Sequence, residues 1–148
     1  MTSIDGYKPK SQPIFPEPES VGERPWGEEI LLCLVPGKYM IKELRVKAGS
    51  KGGLQFHRKK DECGILLEGT MIIRYENEEG DIVAKTVNAG NVFHFPPGVV
   101  HQEEAVTDCR IIEGSSPHFN DRVRMEEHFG MGEPVGLPST LEAEIVEK

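Results

Sequence analysis

The fold is decided by residues 49–69, which read GSKGGLQFHRKKDECGILLEG. Alternate side chains of a strand share a face, so we expect Gln55 and His57 to point the same way. The polar segment 59–61 can turn the chain back, which returns Glu62 on the next strand to the side of His57. The stretch therefore predicts two neighbouring strands that bring an amide, an imidazole and a carboxylate together.

A second stretch, residues 90–101, reads GNVFHFPPGVVH and carries another imidazole. Its Pro-Pro-Gly corner ends one strand, after which His101 starts the next and can face the same point. Two imidazole nitrogens, one amide oxygen and one carboxylate oxygen suit Mn, Fe, Co, Ni or Zn better than Ca or Mg. An octahedral ion held in this way keeps two positions open for water or a substrate. The predicted metal ligands are Gln55, His57, Glu62 and His101.

Residues 26–112 consist of short β-type runs bounded by Gly, Pro, Asn or Asp, and no run has a convincing helical period. This pattern predicts an all-β sandwich or barrel. The expected strands cover residues 30–34, 39–46, 54–57, 62–68, 70–75, 82–87, 91–95, 101–105 and 109–113. The one predicted helix covers residues 119–129, with Val123 and Met125 as its apolar contacts.

The chain has 148 residues, the size of one domain. Prolines are frequent near the N-terminus, so we expect an extended arm over residues 1–23 and a β domain over residues 24–130. Beyond that point the chain becomes rich in Gly and Pro and then acidic, which predicts a weakly packed tail over residues 131–148. The basic run at residues 58–60 is interpreted as a solvated turn, with a phosphate clamp as the alternative.

Net charge is −8, and no block of Lys or Arg offers the basic stripe that nucleic-acid binding needs. The first ten residues lack an apolar segment, and the longest apolar run, residues 30–35, is too short to span a bilayer. Three cysteines without a CxxC pair argue against disulfides. We therefore expect a soluble cytoplasmic protein whose partner is a small molecule rather than nucleic acid or a membrane.

Both stretches follow known motifs at fixed spacing. The pattern G-x5-H-x-H-x4-E-x6-G is matched by Gly49, Gln55, His57, Glu62 and Gly69, with Gln in place of the first His. The pattern G-x5-P-x-G-x2-H-x3-N is matched by Gly90, Pro96, Gly98 and His101, with Ala105 where Asn is usual. At these residues the chain resembles the cupin superfamily over residues 24–130. The resemblance implies a double-stranded β-helix, or jelly roll, with the metal inside.

A narrower resemblance is to the cupin domain of type II mannose-6-phosphate isomerases. Their R-P-W-G opening is matched by Arg24-Pro25-Trp26-Gly27, and residues 115–131 follow their stretch S-T-P-x-x-D-D-V-V-R-x-E-D-x-Y-G-R. This resemblance implies that Gln is an accepted metal ligand. The chain departs from the pattern at Lys60, Gly64 and Met131, where the family has Arg, Trp and Arg. These departures point to a smaller, differently shaped or unphosphorylated ligand.

The resemblance implies a metal-dependent isomerase or epimerase of a sugar, a sugar phosphate or a related hydroxy-carbonyl compound. Glu103 is a candidate base because it shares the strand face of His101. Lys42 and Arg124 occupy positions where these isomerases carry Lys and Arg. Two other functions stay open, an Fe(II)-dependent dioxygenase and a cupin that binds a small molecule without catalysis. We also expect a homodimer, in which the N-terminal arm can overlay the partner.

Overall fold

Nearly all regular structure in the chain is β-strand. The computed structural model describes residues 5–134 and 136–148. The strands are β1 (Glu19–Arg24), β2 (Gly27–Val35), β3 (Tyr39–Val46), β4 (Gln55–His57), β5 (Glu62–Glu68), β6 (Thr70–Glu76), β7 (Ile82–Asn88), β8 (Val92–Phe95), β9 (His101–Ala105), β10 (Cys109–Ser115), β11 (His118–Phe119), β12 (Arg122–Arg124) and β13 (Val146–Glu147). Within the described ranges the one helix is a 3-10 turn, Glu142–Glu144, and no helix is long and apolar enough to cross a membrane.

Two antiparallel sheets form a jelly roll. The larger sheet has the strand order β1-β2-β3-β10-β5-β8, and the smaller has the order β12-β4-β9-β6-β7. Neighbouring strands such as β3 and β10 lie far apart in sequence, as expected when a chain winds back and forth between two sheets. A short ladder between β11 and β13 forms a separate pair. The predicted all-β fold with a double-stranded β-helix is confirmed.

The apolar core lies between the two sheets. Burying one large apolar side chain completely contributes about 1.5–3 kcal/mol to folding. Both sheets supply core residues, which are Leu44, Leu66, Met71, Ile73, Val87, Phe95, Ala105, Cys109 and Ile111. The core therefore fixes the two sheets face to face and sets the frame for the polar residues beside it.

The interior changes from apolar to charged along single strands. On β10, Ile111 and Glu113 are both buried, although one is apolar and the other ionisable. In the ladder with β3, Ile111 lies opposite Leu44 and Glu113 lies opposite Lys42. Two residues along a strand span about 7 Å, so the change is abrupt. We call the charged region the polar end; its buried members include Lys42, His57, Glu62, His101 and Glu113.

Gly69 makes the turn between β5 and β6 possible. Its φ is 95°, in the left-handed region that favours glycine. A Cβ atom at this position would lie 2.3 Å from the backbone oxygen of Asp108. The glycine that closes the first motif is therefore required by backbone conformation and by close approach of another chain segment.

The helix predicted over residues 119–129 is wrong. This segment contributes to β11 and forms β12, and β12 pairs with the edge strand β4, where Arg122 lies opposite His57. Asn120 has a φ of 61°, which is incompatible with a continuous right-handed helix. The backbone groups of β4 thus offer this segment inter-strand hydrogen bonds in place of the local bonds of a helix.

The two ends of the chain differ in their contacts. Residues 136–148 reach the barrel through Thr140, which is buried and whose hydroxyl donates to the Asn120 carbonyl at 2.7 Å. Near the N-terminus, β1 pairs with β2 and crosses the boundary predicted at residue 23. The division into arm, domain and tail stays a prediction.

Replacing Leu66 by Ala should lower the free energy of unfolding by about 2–5 kcal/mol, because Leu66 is fully buried and truncation leaves a cavity. The matched control is Leu67→Ala on the same strand, since Leu67 is 41% exposed. Urea denaturation of both variants measures the difference. Equal losses for the two variants would contradict the position of the core.

Candidate metal centre

Three neighbouring strands bring the predicted metal ligands together. Strand β4 carries Gln55 and His57, β5 begins with Glu62, and β9 begins with His101. In the ladder between β4 and β9, Gln55 lies opposite His101. The strand register thus gathers residues that are separated by long stretches of sequence.

Three of the four side chains form one compact group. The Oε1 atom of Glu62 lies 3.1 Å from Nε2 of His101 and 3.4 Å from Nε2 of His57. The ligand atoms of these three residues all lie within 4.8 Å of one another, and the side chains are nearly buried. Atoms that bind one ion at about 2.1 Å each are about 3 Å apart when they are at right angles. The spacing therefore suits a single transition-metal ion.

Hydrogen bonds fix which nitrogen of each imidazole faces the centre. His101 Nδ1 lies 2.9 Å from the Val99 carbonyl oxygen, which only accepts, so Nδ1 carries the proton. His57 Nδ1 lies 2.8 Å from Oδ1 of Asp121, which places a proton there as well. In the neutral rings both Nε2 atoms then present lone pairs to Glu62. Lone pairs repel a carboxylate oxygen that faces them unless a positive charge lies between, and a divalent metal ion can supply that charge.

Gln55 stays a predicted ligand. It is half-buried, and its place opposite His101 in the ladder puts both side chains on the same face of the sheet. Its amide oxygen is a donor type that the same metals accept. His57, Glu62 and His101 can hold a metal ion without it.

Lys60 belongs to the polar end, so its interpretation as part of a solvated turn is wrong. Its side chain is 11% exposed, and its Nζ lies 3.0 Å from Oε2 of Glu62 and 3.4 Å from Oε1 of Glu113. Burial alone would lower the pKa of Lys60, but the carboxylates of Glu113 and Glu62 outweigh burial and raise it. Lys60 therefore stays charged and holds the Glu62 oxygen that faces away from the imidazoles.

Glu62 and Glu113 differ in charge although both are buried. Burial acts to raise the pKa of Glu62, but the charge of Lys60 and the adjacent imidazoles of His101 and His57 lower it well below its usual range. Burial and the neighbouring Glu62 raise the pKa of Glu113. The charge of this pair therefore concentrates on Glu62, the residue that faces the imidazoles.

Asp121 is a functional residue that sequence reasoning missed. It is 2% exposed and accepts hydrogen bonds from His57 Nδ1, from Lys59 N at 3.0 Å and from Lys60 N at 2.7 Å. Burial would raise the pKa of Asp121, but these donors lower it, so the carboxylate stays ionised. A signal was present, because Asn120-Asp121 falls on the Asp-Asp pair of the isomerase pattern.

The predicted base, Glu103, lies on the ligand-bearing strand β9. It is opposite Ile73, a core residue, in the ladder between β9 and β6. Burial raises the pKa of Glu103 to about 7, with Glu62 and Glu113 adding to the rise and His101 opposing it. A carboxyl group with these neighbours can both accept and donate a proton near neutral pH.

The structure gives the other two predicted catalytic residues different surroundings. Lys42 is buried at the polar end, where its Nζ lies 2.7 Å from Oε1 of Glu29 and 5.1 Å from the ring centre of Phe119. Arg124 instead forms a fork with Glu126, with its Nε and Nη2 atoms 2.7–3.0 Å from the carboxylate oxygens. Its Nη1 donates to the Leu137 carbonyl at 2.7 Å. Those contacts tie the residues after β12 to the strand.

The fold and the ligand group define a jelly-roll protein whose interior can hold a metal ion. Residues 42–113 match the family described as "Cupin domain". Germin-like protein subfamily T member 3 from Arabidopsis thaliana is 29% identical over 58 residues, which cover 38% of this chain. The match spans about a quarter (26%) of the length of that protein.

Solved structures share the same fold. The capsular polysaccharide assembling protein CapF from Staphylococcus aureus matches with a TM-score of 0.58 and 21% identity, covering 67% of this chain and 30% of CapF. An RmlC-like cupin from Shewanella frigidimarina NCIMB 400 matches with a TM-score of 0.55 and 25% identity, covering 68% of this chain and 83% of that one. Together with the family match, these similarities support the cupin superfamily for this chain.

Asp121→Asn should weaken metal binding by about 10–100-fold, because the amide no longer fixes the proton on His57 Nδ1. The matched control is Asp61→Asn, since Asp61 is exposed and bonds only to surface groups such as His94. Competition with a chromophoric chelator measures the metal affinity of both variants. An Asp121 variant that binds metal as tightly as the control would contradict this role.

Proposed function

We propose that this chain is a metal-dependent isomerase or epimerase of a sugar, a sugar phosphate or a related hydroxy-carbonyl compound, similar to the mannose-6-phosphate isomerases it resembles. The observation that carries the proposal is the position of Glu103 on β9, two residues after the metal ligand His101 and on the same face. A proton-transfer group is thereby placed about 7 Å along the strand from a ligand. Isomerisation next to a carbonyl needs both a group that polarises the carbonyl and a base that moves the proton.

A bound divalent metal supplies a Lewis acid that polarises the substrate carbonyl and stabilises developing negative charge. In an isomerisation the carboxylate of Glu103 would take the proton from the carbon beside the carbonyl and deliver it to the carbonyl carbon, while the hydroxyl proton of the first carbon passes to the carbonyl oxygen. Lys42, held by Glu29 at 2.7 Å, offers ammonium protons to substrate hydroxyl groups. The charged side chains of the polar end suit a ligand that is rich in hydroxyl groups and carries little apolar surface.

Glu103→Gln should lower the rate of proton exchange by about 10²–10⁴-fold while metal content stays unchanged, because the amide cannot accept a proton. The assay follows deuterium incorporation from D₂O into mannose 6-phosphate and into unphosphorylated aldoses by NMR. The matched control is Glu104→Gln on the same strand as Glu103; the Glu104 side chain lies 2.6 Å from Arg74 on β6. Exchange at the parental rate in the Glu103 variant would rule out Glu103 as the base.

Metal analysis separates this proposal from its alternatives. Manganese, cobalt or zinc in the purified protein, together with exchange activity, supports the isomerase. Iron together with oxygen uptake would favour a dioxygenase. Metal without exchange or oxygen uptake would favour a cupin that only binds its ligand.

We also propose a homodimer in the cytoplasm. Two features support it. The side chains of Ile14 and Phe15 in the arm are 86% and 85% exposed, which leaves apolar surface for a partner to cover. Cys33, Cys63 and Cys109 are all free thiols, as is usual in a reducing compartment.

The double substitution Ile14→Ser, Phe15→Ser should shift the protein from dimer to monomer, because it removes the apolar contact of the arm. Leu141→Ser is the control, since Leu141 is 71% exposed but lies in the C-terminal segment. Analytical ultracentrifugation of the three proteins gives the oligomeric state. A dimer that persists in the double variant would exclude the arm as the main contact.

A further inference from the structure

Acidic and basic side chains alternate around the polar end. In order of contact or ladder position, they are Glu62, Lys60, Glu113, Lys42, Glu29 and Arg24. Each buried charge thus has an opposite charge beside it, which offsets the cost of burial. The alternation ends at Arg24, which repels another cation, Arg122 on β12.

Arg122 lies beside the metal centre. It is opposite His57 in the ladder between β12 and β4, so both side chains leave the sheet on the same face. Directly opposite residues in such a ladder have Cβ atoms about 4.5–5.5 Å apart. The register therefore places Arg122 next to a candidate metal ligand.

One N–H group of the Arg122 guanidinium, at Nε, lacks an acceptor. Its Nη1 donates to the side chain of Asn120 at 3.0 Å, but its Nε is buried without any hydrogen-bond partner. Among the residues described, no other buried side-chain nitrogen or oxygen is left unpaired. A buried N–H without an acceptor is destabilising, and such groups are rare outside functional sites.

Positive charge accumulates around this guanidinium. Burial lowers the pKa of Arg122, and repulsion by Arg124 and Arg24 lowers it further, while Asp121 and Glu144 oppose the change. These two acids have other partners. Asp121 accepts from His57 and two backbone N–H groups, and Glu144 accepts from the backbone N–H of Leu141.

The neighbouring arginines have unequal freedom to bind a ligand. Arg124 already forms a two-pronged contact with Glu126. Arg24 has only a 3.4 Å contact with Glu29, and the same carboxylate accepts from Lys42 at 2.7 Å. Arg24 is also 31% exposed, so it can be reached from solvent. Arg24 and Arg122 therefore form the part of the cluster with unused donors.

We propose that Arg122 and Arg24 form a subsite for an oxyanion, the phosphate or carboxylate group of a substrate whose hydroxy-carbonyl end lies at the metal centre. This inference rests on the proposed function and adds the charge of the substrate to it. An oxyanion placed here supplies the acceptor that Nε of Arg122 lacks and restores the alternation of charge. Guanidinium groups suit it because their planar donors match two oxygens of one anion.

Lys60 cannot perform this role although it stands where the resembled isomerases have Arg. Its ammonium group is already held between Glu62 and Glu113 at 3.0 and 3.4 Å. Releasing it would leave two buried carboxyl groups without their cation. The proposed cationic contact to the substrate therefore comes from β12 and β1 instead of from the loop that carries Lys60.

The test is calorimetric titration of the protein, carrying the metal it retains on purification, with inorganic phosphate and separately with acetate. Arg122→Gln should bind the preferred anion about 10–100-fold more weakly, since it loses charged hydrogen bonds. Arg122→Lys keeps the charge but loses the planar guanidinium, so its affinity for the anion should lie between those of the parent protein and Arg122→Gln. The matched control is Arg45→Gln, whose parent side chain is 55% exposed on β3. Metal content and melting temperature establish that each variant is folded and loaded.

Anion that binds only to the metal would be unaffected by substitution of Arg122, so equal binding by the Arg122 and Arg45 variants overturns the subsite. Failure of the parent to bind either anion overturns it as well. Preference for phosphate over acetate identifies a phosphate ester, and the reverse identifies a carboxylate. Arg122-dependent anion binding without proton exchange would uphold the subsite and refute the isomerase. Proton exchange on a neutral aldose without anion binding would uphold the isomerase and refute the subsite.

Discussion

The carboxylate of Glu62 is the group on which the polar end depends. One oxygen lies 3.1 Å and 3.4 Å from the Nε2 atoms of His101 and His57, and the other lies 3.0 Å from the ammonium of Lys60. An ionised carboxylate at this depth is costly unless each oxygen meets a positive charge. Lys60 serves one oxygen permanently, so the oxygen beside the imidazoles creates the demand for a metal ion. Metal binding to the folded protein then stabilises the fold by mass action.

The same strands that build the core also carry the site. On β10 the change from Ile111 to Glu113 takes one step of the strand period, and the ladder partner changes from Leu44 to Lys42 at the same point. Because the apolar residues fix the register, the charged residues have no freedom to slide. The rigidity of the site thus comes from packing a few ångströms away from it.

Much of this arrangement could be predicted from sequence because it depends on local rules. The period of two places Gln55 and His57 on one face, and fixed spacings identify Glu62 and His101 as their companions. The strand boundaries follow from the turn residues between them. Local sequence rules gave the wrong secondary structure where pairing between distant strands determines it. Residues 119–129 carry a helix-like pattern, but the edge of β4 recruits residues 122–124 as a strand.

The burial of Lys60 at the polar end could not be predicted from local sequence either, because it also depends on strand pairing. Lys60 follows Arg58 and Lys59 in sequence, and a basic run of this kind is usually solvated. Its burial depends on Glu113, which lies fifty-three residues away and meets it only after β10 pairs with β5. The contact between Lys60 and Glu113 cannot be predicted from local sequence, because nothing near either residue indicates the other as its partner.

The segment around Asn120 connects the candidate metal centre to the proposed anion subsite. Asp121 holds the far nitrogen of His57, and the next residue, Arg122, lies opposite His57 in the ladder. His57 therefore has two consecutive residues of opposite charge beside it, one bonded to its imidazole and the other opposite it in the ladder. Because both residues share a short backbone segment, a shift of β12 that improves the grip on an anion also moves the carboxylate that orients His57. The C-terminal residues resist that shift, since Thr140 bonds to the backbone of Asn120 and Arg122 and the Arg124 guanidinium to that of Leu137. The non-helical path of residues 119–129 is thus what would allow one short strand to serve both the candidate metal centre and the proposed anion subsite.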